Sequence, residues 1–291
     1  MAVAHALITN ERGRLETYAG PHEDTGVAAA DNAVAFGLLG PLLVTVRDGR
    51  PIRIPATKQR IILAALLLRA NMTVSAEQIA DAVWGTSPPP NAISVIRTYV
   101  ARLRRILGQA STRLVSRPTG YAIVVHQPGE FDLAELERFR IETQQVAETG
   151  QWDRAAFLSA KALSLWRGVP LEDVPSATLH LADAERLDEL RLQFATARMD
   201  AELHLGREQY VLAELLKLAS ENPLREHIQA QLMLAYYRCG RQAEALALYR
   251  KVHTSLADEL GVVPGPELCQ LHQEILARRS SPRLAQRFPA Q

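Results

Sequence analysis

The 291-residue sequence predicts a mainly α chain in two parts, a small α+β domain followed by an all-α one. Three observations carry that prediction. Between residues 34 and 127, short apolar runs broken by turn pairs give way to three helical segments and a hairpin. One of those segments, residues 91–107, has a narrow apolar stripe opposed by arginines. From Phe131 onward, apolar residues recur at helical spacing almost without interruption.

Residues 1–33 are polar, rich in small residues and without clear periodicity, and read as a flexible leader. Order is expected to begin near Val34. Residues 36–39, 42–47 and 51–54 form three short runs, separated by Gly40-Pro41 and by the hairpin pair Asp48-Gly49. Thr57 is placed to cap the next helix, whose run from Ile61 to Leu68 is apolar all round and therefore buried. Thr73-Val74 suggests a short strand. Ser75, followed three residues later by Gln78, has the spacing of a capping box for a helix ending near Trp84-Gly85. Pro88-Pro89-Pro90 forces a non-helical link before the arginine-bearing helix, which ends at Gly108. Residues 113–117 and 121–125 then pair across Pro118-Thr119-Gly120. Three strands, helix, short strand, helix, loop, helix and hairpin make a winged helix-turn-helix domain over residues 34–127.

The second domain, residues 131–280, is read as a tetratricopeptide-like helical array, with residues 281–291 a flexible tail. Gly150, Gly206 and Gly240 each precede a helix that opens in polar residues and continues into an Ala/Leu-rich face. Gly206 and Gly240 are 34 residues apart, the tetratricopeptide period, while Gly150 and Gly206 are 56 apart. The array is accordingly irregular, with Asn222-Pro223 at the junction of two units.

Charge divides along the same boundary. Residues 36–126 hold twelve Lys/Arg against three Asp/Glu, a net of +9, whereas residues 1–35 carry −3 and residues 127–291 carry −5. A compact +9 domain suits a polyanion, and the whole-chain value of +1 conceals it. Cys239 and Cys269 are too few for a disulfide framework and are expected as buried free thiols in a cytoplasmic protein. The run from Ile61 to Leu68 is the longest apolar stretch and too short for a bilayer, so no membrane role is expected. No Walker pattern, zinc-ligand spacing or nucleophile elbow occurs, which argues against an enzyme and against a metal or other cofactor.

At 100° per residue, Ile96, Val100, Leu103 and Leu107 share one stripe of the arginine-bearing helix. Arg97, Arg104 and Arg105 lie on a flank or opposite it, Ser94 and Thr98 near the far side, and Arg102 on the other flank. Such a helix fits the major groove of duplex DNA, where arginine forks read guanine or hold phosphate. Asn91 stands at the helix start, and Ala101 points outward, permitting close backbone approach. Arg117 and Thr119 in the hairpin either touch phosphate or minor groove or simply make the turn. Lys58 and Arg60, at a helix N-terminus that favours anions, either hold phosphate or are solvated. Trp84 reads as packing between helices.

Residues 36–279 resemble the Streptomyces antibiotic regulatory protein family of transcriptional activators. The resemblance rests on Phe36-Gly37-Leu38-Leu39-Gly40-Pro41, Lys58-Gln59-Arg60 with its Leu/Ala helix, and Val83-Trp84-Gly85 with Pro88-Pro89. It continues through Arg97-Thr98-Tyr99-Val100-Ala101-Arg102-Leu103-Arg104 and Gly120-Tyr121 to the segment 255–261 followed by Pro264 and Pro266. The family implies an OmpR-like winged helix with residues 91–107 as recognition helix, followed by a bacterial transcriptional-activation domain. It also implies a pathway-specific activator that binds direct repeats in promoters of antibiotic or other secondary-metabolite clusters, as head-to-tail protomers. RNA polymerase holoenzyme, including its sigma factor, is the implied partner. Longer relatives append a nucleotide-hydrolysing domain, and none is expected in this sequence. A protein-interaction scaffold and a ligand-responsive repressor are the competing readings.

Overall fold

The computed structural model describes residues 7–9, 15–17, 34–46, 49–126 and 128–277. In the leader, β1 (Leu7–Thr9) pairs antiparallel with β2 (Leu15–Thr17). Runs of three residues are too short to carry a period-two signal, so sequence patterning did not reveal this hairpin. The rest of the leader and the C-terminal tail, residues 281–291, lie outside the described residues.

The first sheet has the order β3-β4-β5, formed by Val34–Gly37, Leu43–Val46 and Arg50–Pro51. The strand expected at 36–39 is displaced toward the N-terminus. The amides of Leu38 and Leu39 bond the Asp132 carboxylate at 2.8 and 2.9 Å instead of a strand partner, so the ladder stops at Gly37. Little of the run 51–54 is strand, although the Ile52 amide still donates to the Val44 carbonyl at 2.8 Å. Gly49 makes the turn with φ of 72°, donating to the Val46 carbonyl, and Asp48 lies outside the described residues.

Helix α1 (Thr57–Leu67) is buried from Ile61 to Leu67, as an all-apolar helix must be. Its N-cap is Ala56, without a side-chain bond, so Thr57 is the first helical residue and not the cap. The expected capping box is present at α2 (Ala76–Trp84): Ser75 Oγ accepts from the Gln78 amide, and Gln78 Oε1 accepts from the Ser75 amide. Helix α3 (Ala92–Leu107) leads through a 3-10 segment (Gly108–Arg113) to β7 (Leu114–Arg117) and β8 (Gly120–Ile123). The short β6 (Val74–Ser75) pairs with β8, giving the order β6-β8-β7 and tying the wing to the start of α2.

The second half stacks α4 (Asp132–Glu148), α5 (Trp152–Leu163), α6 (Ala177–Leu179) with a π turn (His180–Ala184), and α7 (Glu185–His204). It continues with α8 (Glu208–Glu221), α9 (Glu226–Arg238), α10 (Gln242–Leu260) and α11 (Pro266–Leu276). Cys239 and Cys269 are free but half-buried, not fully buried as composition suggested, because both lie near helix ends. Among the described residues, no helix is long and apolar enough to cross a membrane.

The cores of the two halves interpenetrate. Phe131, Leu171, Val174 and Leu179 complete the core around α1, α2 and α3. In the other direction, Leu39 is packed with Leu136, Phe139, Leu158, Leu187 and Phe194 of the helical half. Polar contacts repeat the pattern: Asp173 accepts from the Leu42 amide at 2.7 Å, and Ser176 Oγ donates to the Ala82 carbonyl at 2.6 Å. Arg69 pairs with Asp183 at 3.2 Å. Burial lifts the Asp132 carboxyl above the ordinary aspartate value, against two amides and Arg167 that favour its ionised form.

Candidate nucleic-acid interface

The site is one face of α3 together with the tip of the wing. Ile96, Val100, Leu103 and Leu107 are all at most 1 % exposed and seat α3 on α1 and α2. That anchorage turns Ser94, Arg97, Thr98, Ala101, Arg102 and Arg105 outward, as a continuous exposed stripe. Asn91 sits at the N-cap, exposed and without a capping bond. The Thr98 hydroxyl donates back to the Ser94 carbonyl at 3.2 Å, and both residues are exposed. Ile93, 44 % exposed, adds an apolar surface to the helix start that the periodicity had not distinguished.

Electrostatics distinguishes this face from most of the helical half. The side chains of Arg97, Arg102 and Arg105 make no hydrogen bond or ion pair among the described residues, and neither does that of Arg117 on the wing. In the helical half, Arg138, Arg140, Arg154, Arg198, Arg207, Arg225 and Arg241 each face a carboxylate within hydrogen-bond distance. Unpaired guanidinium groups that share a face leave an uncancelled positive field there. The donors that a phosphate or a guanine edge would need are uncommitted.

The wing is held close by steric necessity. Arg117, Pro118 and Thr119 are exposed at its tip, and Gly120 lies opposite Ser75 in the β6-β8 ladder. A Cβ on Gly120 would lie 2.0 Å from the Val74 carbonyl oxygen, so only glycine lets the wing close against β6. The Thr119 carbonyl accepts from the Ala76 amide.

Three of the residues predicted from sequence are engaged elsewhere. Arg60 Nε donates to the Asp173 carbonyl at 2.9 Å, Nη1 donates to the Ile54 and Pro55 carbonyls, and the guanidinium lies 3.6 Å from the Asp173 carboxylate. It is a fastener between the two halves. Lys58 Nζ stands 4.9 Å over the Trp84 ring, and Trp84 itself packs half-buried against the first core, as its neighbours implied. Arg104 turns toward the wing, and its Nε and Nη2 donate to the Leu114 carbonyl at 3.0 and 2.8 Å. No signal within a single sequence distinguishes Arg104 from Arg105, because both are cationic and both lie off the apolar stripe.

The family description "Transcriptional regulatory protein, C terminal" matches residues 49–123, and "Bacterial transcriptional activator domain" matches residues 131–276. The regulatory protein DnrI of Streptomyces peucetius is 34% identical over 250 residues, which cover 83% of this chain and 91% of DnrI. The chain belongs to the Streptomyces antibiotic regulatory protein family. A second member-like relative, the regulatory protein AfsR of Streptomyces coelicolor, is 41% identical over 254 residues, 87% of this chain but 25% of AfsR. The chain thus spans about a quarter of the AfsR length. Among solved structures, "Mycobacterium tuberculosis EmbR in complex with low affinity phosphopeptide" matches with a TM-score of 0.82 and 36% identity. That match covers 86% of this chain and 67% of the EmbR chain. The chain therefore carries an OmpR-like winged helix followed by an all-helical activator domain, and its family is one of transcriptional regulators and not of enzymes.

Proposed function

We propose that this family member binds double-stranded promoter DNA in a sequence-specific manner and activates a pathway-specific antibiotic or other secondary-metabolite gene cluster. The face of α3 enters a major groove, where Arg97, Arg102 and Arg105, with Asn91, Ser94 and Thr98, meet bases and phosphates. Arg117 and Thr119 reach the adjacent backbone. The carrying observation is the set of unpaired, exposed arginines on one helix face in a chain whose other arginines are mostly paired. In this reading direct repeats are filled by head-to-tail protomers in the cytoplasm. The helical domain contacts RNA polymerase holoenzyme through its sigma factor or another subunit. Names such as DnrI and AfsR support the regulatory class, and the assembly details extend the family resemblance.

The test is a mobility-shift titration with upstream DNA of candidate target promoters at several salt concentrations. Each phosphate contact contributes about 0.9 to the slope of log affinity against log salt. Replacing Arg97, Arg102 and Arg105 together by Ala should weaken binding and flatten the slope by up to about 2.7. Undiminished binding with an unchanged slope removes α3 from the interface.

A further inference from the structure

We propose that Arg104 is a positioning residue that sets the angle between the recognition helix and the wing, and that it is not one of the arginines meeting DNA. The inference rests on the reading of α3 as the DNA-facing helix and divides its four arginines into three contacts and one strut.

The geometry is specific to this arginine. Strand β7 is an edge strand in the order β6-β8-β7. The Val124 amide donates to the Arg113 carbonyl, so by the alternation of an antiparallel ladder the Leu114 carbonyl points away from β8. An outward carbonyl on an edge strand needs a donor from outside the sheet. Arg104 supplies it twice, through Nε at 3.0 Å and Nη2 at 2.8 Å, and Nη2 also donates to Ser116 Oγ at 2.9 Å. The side chain is half-buried, unlike Arg97, Arg102 and Arg105, which are exposed and make no such bond among the described residues. A planar fork that grips one carbonyl and one hydroxyl two residues apart along β7 restrains both the distance and the twist of the wing relative to α3. Arg117 lies one residue beyond Ser116, so its place beside α3 follows from that grip.

A lysine keeps the charge but cannot reproduce the fork. The experiment measures promoter affinity and salt slope for the full chain carrying Arg104→Lys, Arg104→Met, Ser116→Ala, Arg117→Ala and the Arg104→Met/Arg117→Ala pair. A strut predicts that Lys fails to rescue, with both Arg104 variants weakened about tenfold, as for loss of a charged hydrogen-bond pair, and the slope no flatter than in Arg117→Ala. Ser116→Ala, which leaves every arginine in place, should lose about twofold to threefold on the same basis. The double variant should be no weaker than Arg104→Met alone, since the wing contact is already lost. Near-normal affinity for Arg104→Lys, or full additivity with Arg117→Ala, overturns the strut and makes Arg104 a direct contact. If Arg104→Met does not fold, the Lys and Ser116→Ala variants still decide between the two. The triple Arg97/Arg102/Arg105 variant is the control. If it binds normally, the DNA-facing reading of α3 fails, whatever Arg104 does.

Discussion

Leu39 offers the sharpest test of how the two halves are joined. It belongs by sequence to the turn between β3 and β4, yet its side chain is fully buried among Leu136, Phe139, Leu158, Leu187 and Phe194. Leu39→Ala removes that plug. The site has little freedom to collapse, because the amides of Leu38 and Leu39 are both held by Asp132 and the Leu39 carbonyl accepts from the Arg167 amide at 2.7 Å. Leucine-to-alanine changes in such rigid surroundings cost about 3–4 kcal/mol. At about 2.1 cal/mol/K of unfolding entropy per residue, that corresponds to a fall of about 5–7 °C in Tm for a chain of this size. The assay is thermal and urea unfolding of the full chain, with Leu215→Ala as the comparison. Leu215 is equally buried but lies wholly within the helical core. Leu39→Ala should broaden a single transition, because it loosens the joint between the halves, whereas Leu215→Ala should lower stability without loosening it. A loss below about 1 kcal/mol, or an unchanged sharp transition, refutes the view that Leu39 couples the domains.

Two other outcomes follow from single positions. Gly120→Ala should destabilise the chain by about 3 kcal/mol and weaken promoter binding, because the added Cβ meets the Val74 carbonyl oxygen and must push β8 from β6. Circular-dichroism melting and the mobility shift together check it, and a neutral result would mean that the wing is not held by that ladder. His227 gives a pH dependence. Burial favours its neutral ring, but a hydrogen bond with Asp200 at 3.0 Å and an ion pair with Glu267 at 3.6 Å outweigh this and hold its pKa at about 10, against an ordinary 6.5. A folded-state value above the unfolded one means that its stabilisation is complete below pH 6.5 and is lost as pH rises toward 10. Melting temperature should therefore fall more steeply between pH 7 and 10 in the parent than in His227→Gln, and parallel curves would contradict the pairing.

Much of this protein was legible from local pattern. Four apolar residues at helical spacing defined the buried stripe of α3 and, by exclusion, its outward arginines, because burial follows periodicity whatever the partner. The Ser75–Gln78 box and the glycine before Tyr121 are likewise local, and each has its structural counterpart. What tertiary structure alone decided is the partner of each polar group. Periodicity assigns a side chain to a face, but an arginine's donors are fixed by whichever acceptor the fold brings near. Asp173 reaches Arg60 from 113 residues away, and Asp132 reaches Leu38 from 94. Arg104 meets an edge-strand carbonyl that exists only once β7 has paired with β8. Leu39, an apolar residue in a turn, gains its role from a core that belongs to the other domain. Chain-distant contacts of this kind leave no periodic trace, so they emerge only when the two halves pack.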